Sequence, residues 1–254
     1  MIGLITNEMV KIFRQLKMWG VLGICFILIL LSGMSSGDQT AAQSIITLTY
    51  GLSSFLFLPL LVSLVFSDSI SNEVSQGTIK LLIVQPISRI RIWISKWIAG
   101  IIISWSILFL LAIGLYLFVG IKNGFGSWSS VATIIGHGKS IGMLTIQMYG
   151  LQLLSLISIV TFILALSTFI DNASLAFGIS MAIVISTSIL LVLAQKHHWQ
   201  ALKFLFAAQW MLPGHLVNED LTSSSLPFGL TILGVWMVLF LLLSLIRFSR
   251  RDFS

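Results

Sequence analysis

Long apolar stretches free of Asp, Glu, Lys and Arg dominate the chain. Six are long enough to cross a bilayer: Met18–Gly37, Gln39–Ser67, Trp97–Ile121, Ser140–Ile170, Asn172–Gln195 and Leu221–Ile246. A crossing helix needs roughly 20 mainly apolar residues. Backbone polar groups cannot stay unpaired in lipid, so each stretch is expected to be helical. A β-barrel would instead show alternating strands of about ten residues. The expected fold is therefore all-α: an integral membrane bundle of six transmembrane helices, forming a single domain over residues 1–254.

The intervening pieces differ in character. Ile2, Ile5, Met9, Ile12 and Leu16 recur at helical spacing. With Lys11, Arg14 and Lys17 elsewhere on the helix, they predict an N-terminal amphipathic helix over residues 1–17 that lies in the membrane interface. Its alternative is a cytoplasmic extension of the first span. Asp68–Lys96, DSISNEVSQGTIKLLIVQPISRIRIWISK, predicts a short polar helix, a turn and an amphipathic run into the third span. Asp68 or Ser69 can cap a short helix there, Gly77 can end it, and Pro86 punctuates the stretch after it. Asn123–Gly138 is a Gly/Ser-rich loop. Phe204–Asn218 is charge-free but short, and it contains Pro213 and Gly214. Within residues 196–225 it predicts a re-entrant or interfacial outer segment.

Composition agrees with the pattern. The 254 residues are 57% hydrophobic and 9% charged, with a mean hydropathy of +1.05. Soluble domains carry about a quarter charged residues. The N-terminal apolar run is long for a secretory signal and has no clear small-residue cleavage site. Cys25 is the one cysteine, which rules out an intrachain disulfide and a thiolate cluster.

Charge sets the orientation. With six spans, one side holds Lys11, Arg14, Lys17, Lys80, Arg89, Arg91, Lys96, Arg247, Arg250 and Arg251, ten of the fourteen basic residues. Lys122, Lys139, Lys196 and Lys203 fall on the other. The positive-inside bias then puts both termini in the cytoplasm of a multi-pass cell-membrane protein. The formal charge of +6 is read as topogenic rather than as a nucleic-acid surface. Arg14, Lys17, Arg89 and Lys96 are the expected cytoplasmic anchors. Trp19, Trp93, Trp97, Trp128, Trp199 and Trp210 are expected in the two interfacial aromatic belts.

Catalytic signatures are sparse. No H-E-x-x-H zinc motif occurs. Gly138-Lys139-Ser140 ends like a phosphate-binding loop, but Thr133 stands where that motif needs glycine. His197 and His198 are adjacent, so they do not share a helical face; with His215 and Glu219 they could form an outer metal site, though interfacial polar residues are the plainer reading. The spans carry almost no ionisable groups, whereas ion-coupled transporters place such groups along their pathway. Transport work would then be driven from outside this chain.

Asp68, Glu73, Gly77-Thr78, Pro86, Ser88-Arg89 and Lys96, with the six-span layout, resemble the permeases of the ATP-binding-cassette type-2 exporter family. The sharp part of the resemblance covers about thirty residues. It implies a non-enzymatic membrane subunit that pairs with a second permease, the same or a sister chain, and binds a separate cytosolic ATPase. ATP and Mg would sit on that ATPase, with no cofactor in this chain. Asp68, Glu73, Gln76, Gly77 and Thr78 would form a coupling helix, with Glu73 meeting a basic residue of the ATPase. Small bacterial members export or expel amphipathic and antimicrobial peptides, which suits a pathway poor in charge. A stand-alone channel or secondary carrier would instead show flux without ATP. A membrane enzyme would depend on the outer histidines.

Overall fold

The computed structural model describes residues 1–54, 57–67, 69–76, 88–131, 138–197, 204–216 and 225–250. Among these, the named elements are all helical: α1 (Ile2–Phe13), α2 (Leu16–Met34), α3 (Ala41–Ser54), α4 (Phe57–Phe66), α5 (Ser71–Ser75), α6 (Arg89–Asn123), α7 (Ile141–Phe169), α8 (Ala173–His197), a 3-10 helix (Phe206–Leu216) and α9 (Leu226–Arg250). One isolated antiparallel bridge joins Val131 to Ser140.

Five stretches are long and apolar enough to cross a membrane: Leu16–Met34, Phe57–Ser75, Arg89–Asn123, Ile141–Phe169 and Leu226–Arg250. Ala173–Thr187 is a shorter apolar helical run inside α8. α3 and α4 both fall within the expected second span, and the expected third span is the inner part of a longer helix. Exposed Phe26, Ile27 and Leu31 on α2, with Val235, Val238 and Leu242 on α9, form apolar outer faces. A face of this kind is stable against lipid and costly in water.

α7 is the hub. It packs against α3, α4, α6, α8, α9 and the 3-10 helix. Its neighbour α6 is tied to it by indole groups. Trp97 Nε1 donates to Thr161 Oγ1 at 2.8 Å, and Trp105 Nε1 donates to the Leu153 carbonyl at 3.4 Å. Interhelical hydrogen bonds matter here because lipid offers helices no hydrophobic incentive to associate. Gly100 allows close approach, since a Cβ there would lie 2.8 Å from Val160 Cγ1. Thr161→Val keeps the shape and removes the acceptor. It is expected to cost about 1 kcal/mol, read as a lower unfolding midpoint in detergent; an unchanged midpoint would show that the Trp97 bond adds nothing.

Several boundary expectations change. α1 ends at Phe13, and an extended Gln15 (φ −75°, ψ 137°) turns the chain into α2. Leu16 therefore belongs to α2, where it is 87% exposed, and Ile2 is 82% exposed. Among the residues expected on the apolar face of α1, only Ile12 is fully buried, and Glu8 is buried beside it. Trp93 and Trp210 are buried in the bundle, whereas Trp19 and Trp128 are exposed. Trp199 lies outside the described residues. The 3-10 helix is wedged against α3, α7 and α9, where the Phe206 and Trp210 rings pack at a tilt against Phe162. Its Pro213 and Gly214 sit inside the helix, and both are buried.

Candidate functional site

The polar chemistry concentrates where α1, α5, α6 and α7 meet. α5 is a single turn of five residues, too short to be stable alone. Ile70 occupies its N-cap position and supplies no side-chain cap. The cap comes from α7: Ser167 Oγ accepts the backbone N–H of Ile70 at 3.0 Å and of Ser71 at 3.1 Å. The next residue, Thr168, accepts the indole N–H of Trp93 in α6 at 3.3 Å. Two consecutive hydroxyls near the end of α7 thus hold both α5 and the start of α6. Of the two local caps expected, Asp68 lies outside the described residues and Ser69 is not the N-cap residue, while Ser167 reaches the start of α5 from 96 residues away.

An ionic cluster locks the other side of α5. Lys96 Nζ donates to Glu8 Oε2 at 2.8 Å and to Glu73 Oε1 at 2.7 Å. Lys11 donates to the same Glu73 oxygen. Glu8, Glu73 and Lys96 are buried, and Lys11 is partly open with its side chain 44% exposed. Among the described residues two ammonium groups face two carboxylates, so this part of the cluster is formally neutral. Neutrality is required, since an unpaired buried ion costs several kcal/mol. A cleft of about 150 Å³ opens beside the cluster between α1 and α5, bordered by Lys11, Gln15, Asn72 and Gln76.

Geometrically, α5 is a short helix fastened at three points, to α7 through Ser167, to α6 through Lys96 and to α1 through Lys11. A push on its exposed edge, Ser75 and Gln76, would be carried to three helices at once. Such a coupling needs rigid connections of this kind.

The site residues expected from sequence fall into several groups. Glu73 lies in α5 and is buried, its Oε1 paired with Lys96 and Lys11. Lys96 is a buried member of the same cluster, not a surface anchor. The physical reason is shared: each side chain is withdrawn from water and has an opposite charge within hydrogen-bond reach. Gln76 is exposed, and its Nε2 donates to Asn72 Oδ1 at 3.0 Å. Arg89 Nη1 donates to the Ser249 carbonyl at 3.2 Å, near the end of α9. Arg14 caps α1 and is exposed. Lys17 sits over the Phe177 ring, 6.0 Å from its centroid. Asp68, Gly77, Thr78 and Pro86 lie outside the described residues.

Glu8, Lys11, Ser167 and Thr168 complete the site, and the sequence does not mark them as a constellation. Glu8 has a readable signal. It falls between Ile5 and Ile12 on the apolar side of α1, where a carboxylate needs a cation. Ser167 has none, because its partners are backbone groups far away in the chain. On the outer side, His198 and Glu219 lie outside the described residues, and so does the side chain of His197. His215 lies close to Gln209 against Gly229, where a Cβ would be 2.7 Å from Gln209 Oε1 and 3.4 Å from His215 Nε2. Among the described residues, no three His, Cys, Asp or Glu side chains form a metal-binding group.

These features define an all-helical protein with several helices of membrane-crossing length and apolarity, and a buried ionic knot at one end. Residues 6–254 match the family described as DUF2705, proteins of unknown function, and the chain belongs to that family. It is also similar to the uncharacterized protein YhcI of Bacillus subtilis (strain 168), with 28% identity over 193 residues, which cover 73% of this chain. The match spans 61% of the length of that relative.

Proposed function

We propose that this chain is the membrane permease subunit of an ATP-driven exporter of the ATP-binding-cassette type. In this reading it has six spans, with both termini cytoplasmic and the ionic knot on the cytoplasmic side. The observation that carries the reading is α5, a one-turn helix between apolar stretches, tied to α1, α6 and α7 yet with Ser75 and Gln76 exposed. A docking helix must present an edge to its motor and be stiffly joined to the spans it moves.

The six-span layout draws support from contacts at each end. Lys96 meets Glu8, Ser71 meets Ser167, Lys17 meets Phe177 and Arg89 meets Ser249 at one end. Asn123 meets Gly37 and Gln39 at the other. These pairings suit alternating up and down passes.

A separate cytosolic ATPase would bind ATP and Mg and seat α5 in a groove. A second permease, identical or a sister chain, would complete the pathway. The cargo class is amphipathic peptides, including antimicrobial ones. Ser75→Trp and Gln76→Trp test the docking edge without touching the ionic knot. The full chain, co-expressed with the ATPase encoded beside it, is expected to co-purify with that ATPase and to drive ATP-dependent peptide transport in proteoliposomes. Both variants should lose ATPase capture at least tenfold (about 1.4 kcal/mol) while eluting as folded protein. Peptide flux that proceeds without ATP, or capture unchanged by both variants, would overturn the reading.

A further inference from the structure

At the end of the bundle opposite Lys96, α2, α3, α4 and α6 enclose an open cleft of about 300 Å³. It is graded along its depth. The rim is polar, and Ser35, Ser36, Ser44 and Thr47 contribute hydroxyls. The deeper lining is apolar at Leu28 and Leu115, and Leu48 adds an apolar side chain next to Thr47 on α3. Leu28 lies seven residues before Ser35 on α2, and Leu115 lies seven before Lys122 on α6. Seven residues are two helical turns, about 10 Å, so this deeper lining points toward the middle of the bundle.

The protons of the rim hydroxyls are already engaged. Ser35 Oγ donates to the Ser32 carbonyl at 3.1 Å and Ser36 Oγ to the Gly33 carbonyl at 2.7 Å. Ser44 Oγ donates to the Thr40 carbonyl and Thr47 Oγ1 to the Ser44 carbonyl, each at 3.0 Å. A hydroxyl carries one donor and two acceptor lone pairs. These four hydroxyls therefore offer a ligand acceptors, matched by N–H or O–H donors, and Ser32 and the Gln39 carboxamide add further polar groups to the lining, with Gln39 Oε1 accepting from Thr47 Oγ1 at 3.4 Å.

Charge narrows the class. The lining contains no Asp, Glu, Lys or Arg among the described residues. An ionic head would lose water there without gaining a counter-ion. Just beyond the rim, the Lys122 ammonium lies 3.3 Å from the Gly33 carbonyl and would repel a cation. The rim is also held in place. Gly37 turns the chain between α2 and α3 at φ +57°, and Asn123 Nδ2 donates to the carbonyls of Gly37 at 2.6 Å and Gln39 at 2.9 Å.

We infer that this cleft binds an amphiphile with an uncharged, hydrogen-donating head and an apolar tail, the head at the hydroxyl rim and the tail over Leu28, Leu48 and Leu115. The inference does not depend on the ATPase reading, because it concerns binding alone.

The test uses the full chain in lipid nanodiscs and photo-crosslinking amphiphiles that share one diazirine-bearing alkyl tail. Their heads are a glucoside, a glycyl-glycine amide, a permethylated glucoside and a trimethylammonium. Saturable labelling of the cleft by the glucoside, the peptide amide or both is expected. Labelling by the two heads without donors should be at least tenfold weaker, about the loss of one or two hydrogen bonds. The glucoside succeeding alone would assign a sugar-headed lipid, and the peptide amide alone a peptide.

Gly51 lines the cleft, and a Cβ there meets no described atom within 4 Å. Gly51→Phe should therefore fill the space and abolish labelling. Thr47→Val, which adds no bulk, should weaken it severalfold and covers the case of a misfolded Gly51→Phe. Equal labelling by the permethylated head, or labelling insensitive to both variants, would overturn the inference.

Discussion

Lys96→Met is expected to destabilise the protein by about 3–5 kcal/mol, the usual cost of stranding a buried ionic partner. The substitution keeps the length and apolar stem of the side chain and removes only the ammonium. Glu8 and Glu73 would then face one another, with Lys11 left as their counter-charge, and the side chain of Lys11 is 44% open to solvent. The readout is the unfolding midpoint and monodispersity of the detergent-solubilised chain.

A triple variant separates charge balance from packing. Glu8→Leu, Glu73→Leu and Lys96→Met together remove both carboxylates with the ammonium that pairs them. Well-packed apolar replacements of buried ion pairs are often neutral or stabilising, so the triple variant should recover most of the lost stability. A Lys96→Met midpoint equal to wild type would show that the cluster does not hold α1, α5 and α6 together.

The second large effect is local. Ser167→Ala leaves two buried N–H groups, those of Ile70 and Ser71, without their acceptor. Each such loss costs about 1–3 kcal/mol. Amide exchange over residues 70–76 should speed up about 10- to 100-fold, while the middle of α7 keeps its protection. Ser167→Thr, which retains an oxygen at the same carbon, should restore slow exchange. Unchanged exchange in Ser167→Ala would mean that α5 does not depend on α7 for its cap.

Much of the architecture is readable from hydropathy because lipid imposes one rule, continuous apolar helix, on every crossing segment. The stretches that form α2, α6, α7 and α9 announce themselves in that way. The amphipathic run ahead of the third span is also legible, and it proves to be the first turns of α6 itself. Tertiary placement is harder to read. Lys96 and Glu73 look like surface charges because each occurs in a polar segment with many others. Their burial depends on α1 folding back over them, which no local pattern encodes. Trp93 and Trp210 fit an interfacial belt by position, yet Thr168 and the Phe162–Phe206 pair draw them into the core. Ser167 is illegible for the plainest reason, since a serine in an apolar helix has no mark that reveals which backbone it will cap.

α6 runs without a break for 35 residues and contains no proline. At a rise of about 1.5 Å per residue it is a rod of roughly 52 Å. Its first turns carry Lys96 in the ionic knot, and Leu115, farther along, forms part of the lining of the opposite cleft. A rod pivoting about its midpoint through about 10° would shift each tip by roughly 4–5 Å in opposite directions, by the geometry of a rod that long. That is wider than a water molecule and close to one helical turn. The ionic knot and the lining of the cleft thus lie on one unbroken rod, and any tilt of it would move both ends together.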